Sequence, residues 1–272
     1  MSVGLTEIGT HEAASYWERR AQRFAHVGDG LAAVCSYGMP EFYNRTIQLS
    51  QRLALKPWLA IEPGTRVLDV GCGVGRWSRL LAARGGEISG IDLSPTMIQI
   101  ARRRAAAAGV AERCRFLVQD VAELELNARF DLVLAVTVLQ HILEPARLRQ
   151  AVQRLTAHLA ANGRMLLLEA APTQGTRRCD SDIFTARQRH VYVELFRDCG
   201  LRLRAVRGVD PAPFRTRLLP HLRRLPAALH WAASTAVSAL SLPCDALIGR
   251  HAVARSWHAL FVLEHAGSAH GH

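Results

Sequence analysis

Three aspartates stand at or near the ends of short apolar runs: Asp69 in Arg66–Val70, Asp92 closing Glu87–Asp92, and Asp120 just after Arg115–Val118. Behind the first come Gly71, Gly73 and Gly75 at alternate positions. Glycine tolerates positive φ and lets a ligand approach the backbone closely. A turn of this kind that opens onto a helix offers unpaired N–H groups to an anionic ligand group such as a carboxylate. Asp69, two residues before the turn, could reach a ligand ammonium. Asp92 lies 21 residues after Gly71, where an acidic side chain accepts from ribose hydroxyls. Asp120, in Gln119-Asp120-Val121, could accept from an adenine amino group. The chemistry is that of a nucleoside ligand with a charged tail.

By itself the glycine turn leaves three readings open: a dinucleotide site, another nucleoside site, or glycines used only for packing. The dinucleotide pattern places its third glycine three residues after the second. Here Arg76 holds that position and the third glycine comes early, at Gly75. Asp69 and Asp120 also have no required role in that pattern.

These residues need elements to carry them. Arg66–Val70 reads as a strand after the turn Glu62-Pro63-Gly64, and Arg76–Arg84 as a helix stopped by Gly85-Gly86. Glu87–Asp92 reads as the second strand. Ser94-Pro95 is an N-cap followed by proline at the first helical position, opening a helix to about Ala108. Arg115–Val118 is the third strand. Phe130–Val136, continuously apolar, reads as a fourth strand buried on both faces. A helix over Pro145–Ala161 and a strand over Arg164–Ala170 follow. The alternation predicts an α/β fold with a doubly wound, mostly parallel sheet, whose ligands sit beyond the carboxyl ends of the strands. Residues 10–60 read as helical, with a loop at Gly28-Asp29-Gly30 and a break at Gly38-Met39-Pro40. Residues 187–200 read as a helix, Leu201–Val209 and Trp257–Glu264 as strands. The expected organisation is a helical cap over 1–60 and a core over 61–272, with 210–255 inserted.

With 49% hydrophobic residues the chain has ample core material. It holds no uncharged apolar run long enough to span a bilayer. Met1 to Gly9 lacks the basic-then-apolar pattern of a secretory signal. The cysteines are scattered without a CxxC pair, which speaks against a metal site or disulfide framework and for a reducing cytosol. The net charge of +11 is nearly all arginine, spread along the chain rather than massed in one run. Its densest cluster, Arg102-Arg103-Arg104, is expected on the polar face of a helix.

The run Val67–Trp77, with Gly90–Met97, Gln119-Asp120-Val121, Phe130–Val133 leading to Val138–Ile142, and Gly163–Leu168, resembles the class I S-adenosylmethionine (SAM)-dependent methyltransferases. The resemblance covers roughly residues 60–205. It is nearest in flavour to the small-molecule branch of quinone-biosynthesis and natural-product enzymes. It implies a Rossmann-like seven-stranded sheet with an antiparallel last strand, SAM as cofactor and S-adenosylhomocysteine (SAH) as product. It further implies that Gly71, Gly73 and Gly75 cradle the methionine part, and that Asp92 holds the ribose with Leu93 or Met97 on the adenine. Asp120 and Val121 would mark the adenine amino group, and Val136 and Thr137 would lie near the sulfonium. Tyr16 and Arg20, in a helix resembling the one that closes over SAM, are candidate contacts.

For methyl transfer to O or C a base is often needed. His141 leads the candidates by its place after the fourth strand, against a purely conformational role; Glu169, ending the fifth strand, is the other. Tyr37, Tyr43, His190 and Tyr192 are candidates for lining an acceptor pocket. The expected partner is a small, lipophilic metabolite. Val136-Thr137-Val138-Leu139 stands where base-modifying enzymes carry an Asn/Asp-Pro-Pro-aromatic run, which counts against nucleic acid. A tRNA or protein methyltransferase and a non-catalytic SAM-binding protein are the competing readings. The basic and apolar segment 210–255 could dock an anionic membrane surface or pack on the core or a second subunit. The expected location is cytoplasmic, with peripheral membrane contact through that segment.

Overall fold

The computed structural model describes residues 5–35, 41–173, 183–209, 221–222, 225–248 and 253–267. Seven strands form one sheet: β1 (Arg66–Val70), β2 (Glu87–Asp92), β3 (Cys114–Val118), β4 (Phe130–Val136), β5 (Leu159–Ala170), β6 (Leu201–Val209) and β7 (His258–His265). Their order is β3-β2-β1-β4-β5-β7-β6. The first five run parallel, and β7 pairs antiparallel with both β5 and β6. The helices are α1 (Leu5–Phe24), α2 (Leu31–Val34), α3 (Glu41–Leu55), α4 (Arg76–Ala82), α5 (Pro95–Ala107), α6 (Pro145–His158), α7 (Arg189–Asp198) and α8 (Ala227–Ile248).

Strand alternation divides the core between the two faces of the sheet. Leu68, Val133 and Ala135 pack with Leu148, Val152 and Leu155 of α6 and Phe196 of α7. Val67, Leu132 and Leu134 pack on the other side with Trp77 and Leu81 of α4 and Leu55 of α3. The sheet is thus covered on both faces, which is why β4 reads as an unbroken apolar run. The Ser94 hydroxyl accepts from Met97 N at 3.1 Å and caps α5 as its sequence predicts.

Two expectations are corrected. The helix expected to run to Ala161 stops at His158, and β5 begins at Leu159, paired with Phe130. The His158 ring ends the helix: its Nδ1–H donates to Arg154 O at 2.7 Å while Nε2 accepts from Leu126 N at 2.9 Å. The arginine cluster is also more than a solvated face. Arg102 donates to Phe116 O at 2.6 Å, and Arg104 donates to Ala25 O, Gly28 O and Asp29 O, tying the Gly28-Asp29-Gly30 loop to α5.

In the 210–255 segment, α8 packs against α3, with Tyr43 and Trp231 edge-on at 6.2 Å. Leu229, Leu240 and Leu247 of α8 remain 58%, 70% and 73% exposed. The expected break at Gly38-Met39-Pro40 and the residue Tyr37 lie outside the described residues.

Candidate functional site

The ends of β1 and β2 meet at the glycine turn. Gly71 and Gly73 have φ of 59° and 53°, and Gly75 of 72°. A Cβ on Gly71 would lie 2.6 Å from Val138 Cγ2, and one on Gly73 2.5 Å from Val34 Cγ1. Both positions therefore require glycine for conformation and for space. Asp92 holds the turn from the side. Its Oδ2 accepts from Gly73 N and its Oδ1 from Ser94 N, each at 2.9 Å. Burial pushes its carboxyl up to about 6 against the pull of those two N–H groups.

Around this turn lies a cavity of about 380 Å³, within the usual range of about 300–1,000 Å³ for small-molecule sites. Among the expected site residues, Gly71, Gly73, Asp92, Leu93, Met97, Asp120, Val121, Val136, Thr137 and His141 line it. Thr137, at φ 58°, is the only non-glycine residue with positive φ among those described. Its N–H is held by Leu168 O at 2.7 Å.

Five expected residues do not line the cavity. Asp69 is buried below the turn, where Ser78 Oγ donates to it at 2.5 Å; burial pushes its carboxyl up to about 6. Through this bond it braces the turn against α4. Gly75 faces α5, where a Cβ would meet Ala101 Cβ at 3.0 Å. It lets the turn pack closely against α5.

On α1 the cavity is lined by Glu12, Ala13 and Trp17, while Tyr16 and Arg20, on the same side of the helix, are not among its lining residues. Arg20 turns inward to Cys35 O at 2.9 Å and lies 4.9 Å over the Trp17 ring. Glu169 is fully buried, with burial pushing its carboxyl up to about 7. Its Oε1 accepts from Val138 N and Leu139 N at 3.0 and 2.9 Å, and its Oε2 from Gln140 N at 3.1 Å. Both oxygens of this carboxyl are thus engaged by the turn that follows β4. Among the acceptor-pocket candidates, Tyr192 is stacked in the core on Phe196 at 5.7 Å, His190 is exposed, and Tyr43 faces Trp231.

His141 sits in the cavity wall, edge-on to Trp17 at 4.8 Å and to Phe184 at 5.9 Å. The network around it fixes its protonation. Gln140 Oε1 accepts from Ala170 N at 2.9 Å, so Gln140 Nε2 is the donor toward His141 Nε2, 3.3 Å away. His141 Nδ1 then carries the hydrogen and donates to Ile183 O at 2.6 Å. Burial pushes the imidazole down to about 4, only partly offset by that carbonyl. The ring is neutral at pH 7 and both nitrogens are engaged.

Sequence reasoning missed two elements of the site. Arg147, in the first turn of α6, lines the cavity and donates to Asp120 Oδ2 at 2.6 Å, while Asp120 Oδ1 accepts from Ala122 N at 2.7 Å. Glu18 pins α1 over the site. It accepts from Ser94 Oγ at 2.6 Å and from Thr96 N at 3.2 Å, as well as from Thr96 Oγ. Burial works against its ionised form, yet the bonds from Ser94, Thr96 and Gln22 outweigh it and hold the carboxyl below its ordinary value. No local pattern signals either contact, since the partners lie 27 and 76–78 residues apart.

A turn with Asp92 and Asp120 around one cavity at the carboxyl ends of a sheet ordered 3-2-1-4-5-7-6 defines a Rossmann-like nucleoside-binding protein. Comparison with known proteins narrows the class. A family profile described as a methyltransferase domain matches residues 67–163. The ubiquinone biosynthesis O-methyltransferase of Xanthomonas axonopodis pv. citri is 31% identical over 175 residues, spanning 58% of this chain and 71% of that protein. The protein of the same description from Pseudomonas aeruginosa strain LESB58 is 35% identical over 92 residues, 34% of this chain and 40% of its own length. In fold, the O-methyltransferase from a trans-AT polyketide synthase multienzyme of Brevibacillus brevis, solved with SAH, superposes with a TM-score of 0.59. It is 17% identical over 88% of this chain and 80% of its own. The chain belongs to the class I SAM-dependent methyltransferases.

Proposed function

We propose that the protein transfers a methyl group from SAM to a small, lipophilic metabolite. The observation that carries this reading is the single cavity that joins Gly71, Gly73, Asp92 and Asp120 to the Thr137–Leu143 wall. The residues present fit the cofactor. Gly71 and Gly73 place no Cβ between their backbone and the cavity walls, Asp92 offers a carboxylate for a ribose, and Leu93 and Met97 offer apolar faces for a base. Gly75 and Asp69 support the turn from behind, and Trp17 closes the site from α1. α1 thus serves as a lid over the site.

When bound, SAM supplies a methyl group on a sulfonium, which passes in line to the acceptor's lone pair as the sulfur leaves as a thioether. The chain's part is alignment and exclusion of water by Trp17, Val138, Ile142 and Leu143. His141, neutral and with both nitrogens engaged, shapes the acceptor side rather than taking a proton. A general base contributes about 10²–10⁴-fold. Loss of that size in His141→Ala with SAH binding intact would restore the base role; a loss under tenfold supports a wall role.

The test of the function is incubation with labelled SAM and the metabolite extract of the native host. Gain of one methyl on a small molecule supports the reading. Label on tRNA or protein would favour the macromolecular alternative, and SAH binding without any labelled product would favour a non-catalytic SAM-binding protein.

The exposed leucines of α8, together with Arg215, Arg217, Arg223, Arg224 and Arg250 flanking it in sequence, support peripheral contact with an anionic membrane. Among the described residues no helix is long and apolar enough to cross a bilayer. Cosedimentation with anionic vesicles, lost in a Leu229→Ser, Leu240→Ser, Leu247→Ser variant, is the expected result; no cosedimentation of the parent protein rejects it.

A further inference from the structure

One wall of the cavity is a single turn of chain. Thr137, Val138, His141, Ile142, Leu143 and Glu144 line it in succession. That turn is clamped at both ends by opposite charges. At its start the Glu169 carboxylate accepts from three consecutive N–H groups, those of Val138, Leu139 and Gln140. At its end the Arg187 guanidinium donates to the carbonyls of Leu139, Ile142 and Leu143. Between them Gln140 is engaged at every polar group. Its N–H meets Glu169, its carbonyl accepts from Thr185 N at 2.9 Å, and its amide bridges Ala170 N to the His141 ring.

We propose that Glu169 is a positioning residue which, together with Arg187, fixes the 138–144 wall and so sets the placement of the methyl acceptor, not the affinity for the cofactor. The inference rests on the methyltransferase reading above. It follows from which groups each charge touches. The hydrogen bonds of Glu169 and Arg187 go to this turn and not to Gly71, Gly73, Asp92, Leu93 or Asp120, which come from the ends of β1, β2 and β3 and bound the nucleoside side. Both act on the turn carrying His141, Ile142 and Leu143. A carboxylate can accept from three N–H groups; an isosteric amide cannot, because its NH2 end is itself a donor. Glu169→Gln keeps the volume and leaves at least one of the three N–H groups buried without an acceptor. The turn relaxes there, Gln140 moves with it, and the His141 ring loses the donor that holds its Nε2 as acceptor.

The experiment compares the wild-type full chain with Glu169→Gln and Arg187→Gln. SAH affinity is measured by calorimetry. The His141 tautomer is read from long-range nitrogen–proton NMR. The rate of methyl incorporation into the host metabolite extract is measured per mole of folded protein. Expected are an SAH dissociation constant within threefold of wild type, a single Nδ1–H tautomer of His141 becoming a mixture, and methyl incorporation falling at least tenfold. Arg187→Gln perturbs the same turn from its other end and is expected to give the same signature; it decides alone if Glu169→Gln does not fold. An SAH affinity that falls as steeply as the rate would overturn the proposal, since the effect would then be a general loosening of the fold. An unchanged tautomer with an unchanged rate would overturn it too. If wild type methylates nothing in the extract, the function reading fails, and the SAH and tautomer measurements still decide the role of Glu169 on the turn.

Discussion

Gly71→Ala tests the glycine cradle in two separable parts. At φ 59° an alanine sits in the left-handed region, which costs about 1–2 kcal/mol for an L residue. The new Cβ also falls 2.6 Å from Val138 Cγ2 and 3.3 Å from Cγ1, against an optimum of about 3.5–4.0 Å. Val138 is short and branched, with its N–H held by Glu169, so it has little freedom to give way. Overpacking of this kind costs about 1–3 kcal/mol. The sum is about 2–5 kcal/mol, where about 1.4 kcal/mol is a factor of ten in binding. With Val138 held, relief displaces the Gly71 backbone, which lines the nucleoside side of the cavity. Gly71→Ala is expected to weaken SAH binding at least tenfold by calorimetry and to lower the melting temperature by roughly 5–10 °C. Adding Val138→Ala removes both clashing methyls and leaves the φ strain. The double variant is expected to bind SAH about tenfold better than Gly71→Ala alone, a coupling of about 1 kcal/mol or more in the cycle. Strictly additive effects would refute the overlap argument, and an unaffected Gly71→Ala would refute the cradle itself.

Other outcomes are expected at the rest of the site. Arg147→Met leaves Asp120 with only Ala122 N at a side chain 13% exposed, so SAH affinity is expected to fall by about 1–2 kcal/mol; equal affinity in calorimetry would remove Arg147 from the site. Glu18→Ala frees α1 from Ser94 and Thr96, and SAH is expected to leave about tenfold faster in stopped-flow tryptophan fluorescence, on the scale of a lost cap; an unchanged off-rate would show that α1 is no lid.

Burial holds the His141 imidazole neutral, with its pKa near 4 in the folded chain against about 6.5 unfolded. Between those values only the unfolded chain binds the proton, so stability falls as pH drops from about 6.5 toward 4. The raised carboxyls of Asp69 and Asp92 act in the opposite sense as they protonate. The difference between wild type and His141→Gln in urea midpoints at pH 7 and pH 5 isolates the histidine. The variant is expected to lose less stability on acidification, and an identical pH slope would count against a buried neutral ring.

Much of the scaffold is written locally. The strands at Arg66–Val70, Glu87–Asp92, Phe130–Val136 and Leu201–Val209 fall where apolar runs and turn residues place them, and Ser94-Pro95 opens α5. Such signals depend on neighbours a few residues away, through φ/ψ preference, capping and alternation. The turn at Gly71 and Gly73 and the carboxylate of Asp92 were legible for the same reason: the loop conformation requires glycine, and the strand end fixes the aspartate.

What the tertiary structure alone decided is which way side chains turn and whom they meet. Ala13, Tyr16, Trp17 and Arg20 share one side of α1, and periodicity does not say which of them reaches the cavity. The docking of α1 by Glu18 on Ser94 and Thr96 chose Trp17. Asp69 and Glu169 carry the residue type of ligand-binding groups, yet Ser78 and the N–H groups of residues 138–140 claim them. Arg147 meets Asp120 across 27 residues, and Arg187 meets Ile142 across 45. Sequence spacing carries no information about such pairings, because they exist only once the sheet has brought its carboxyl ends and their loops to one edge.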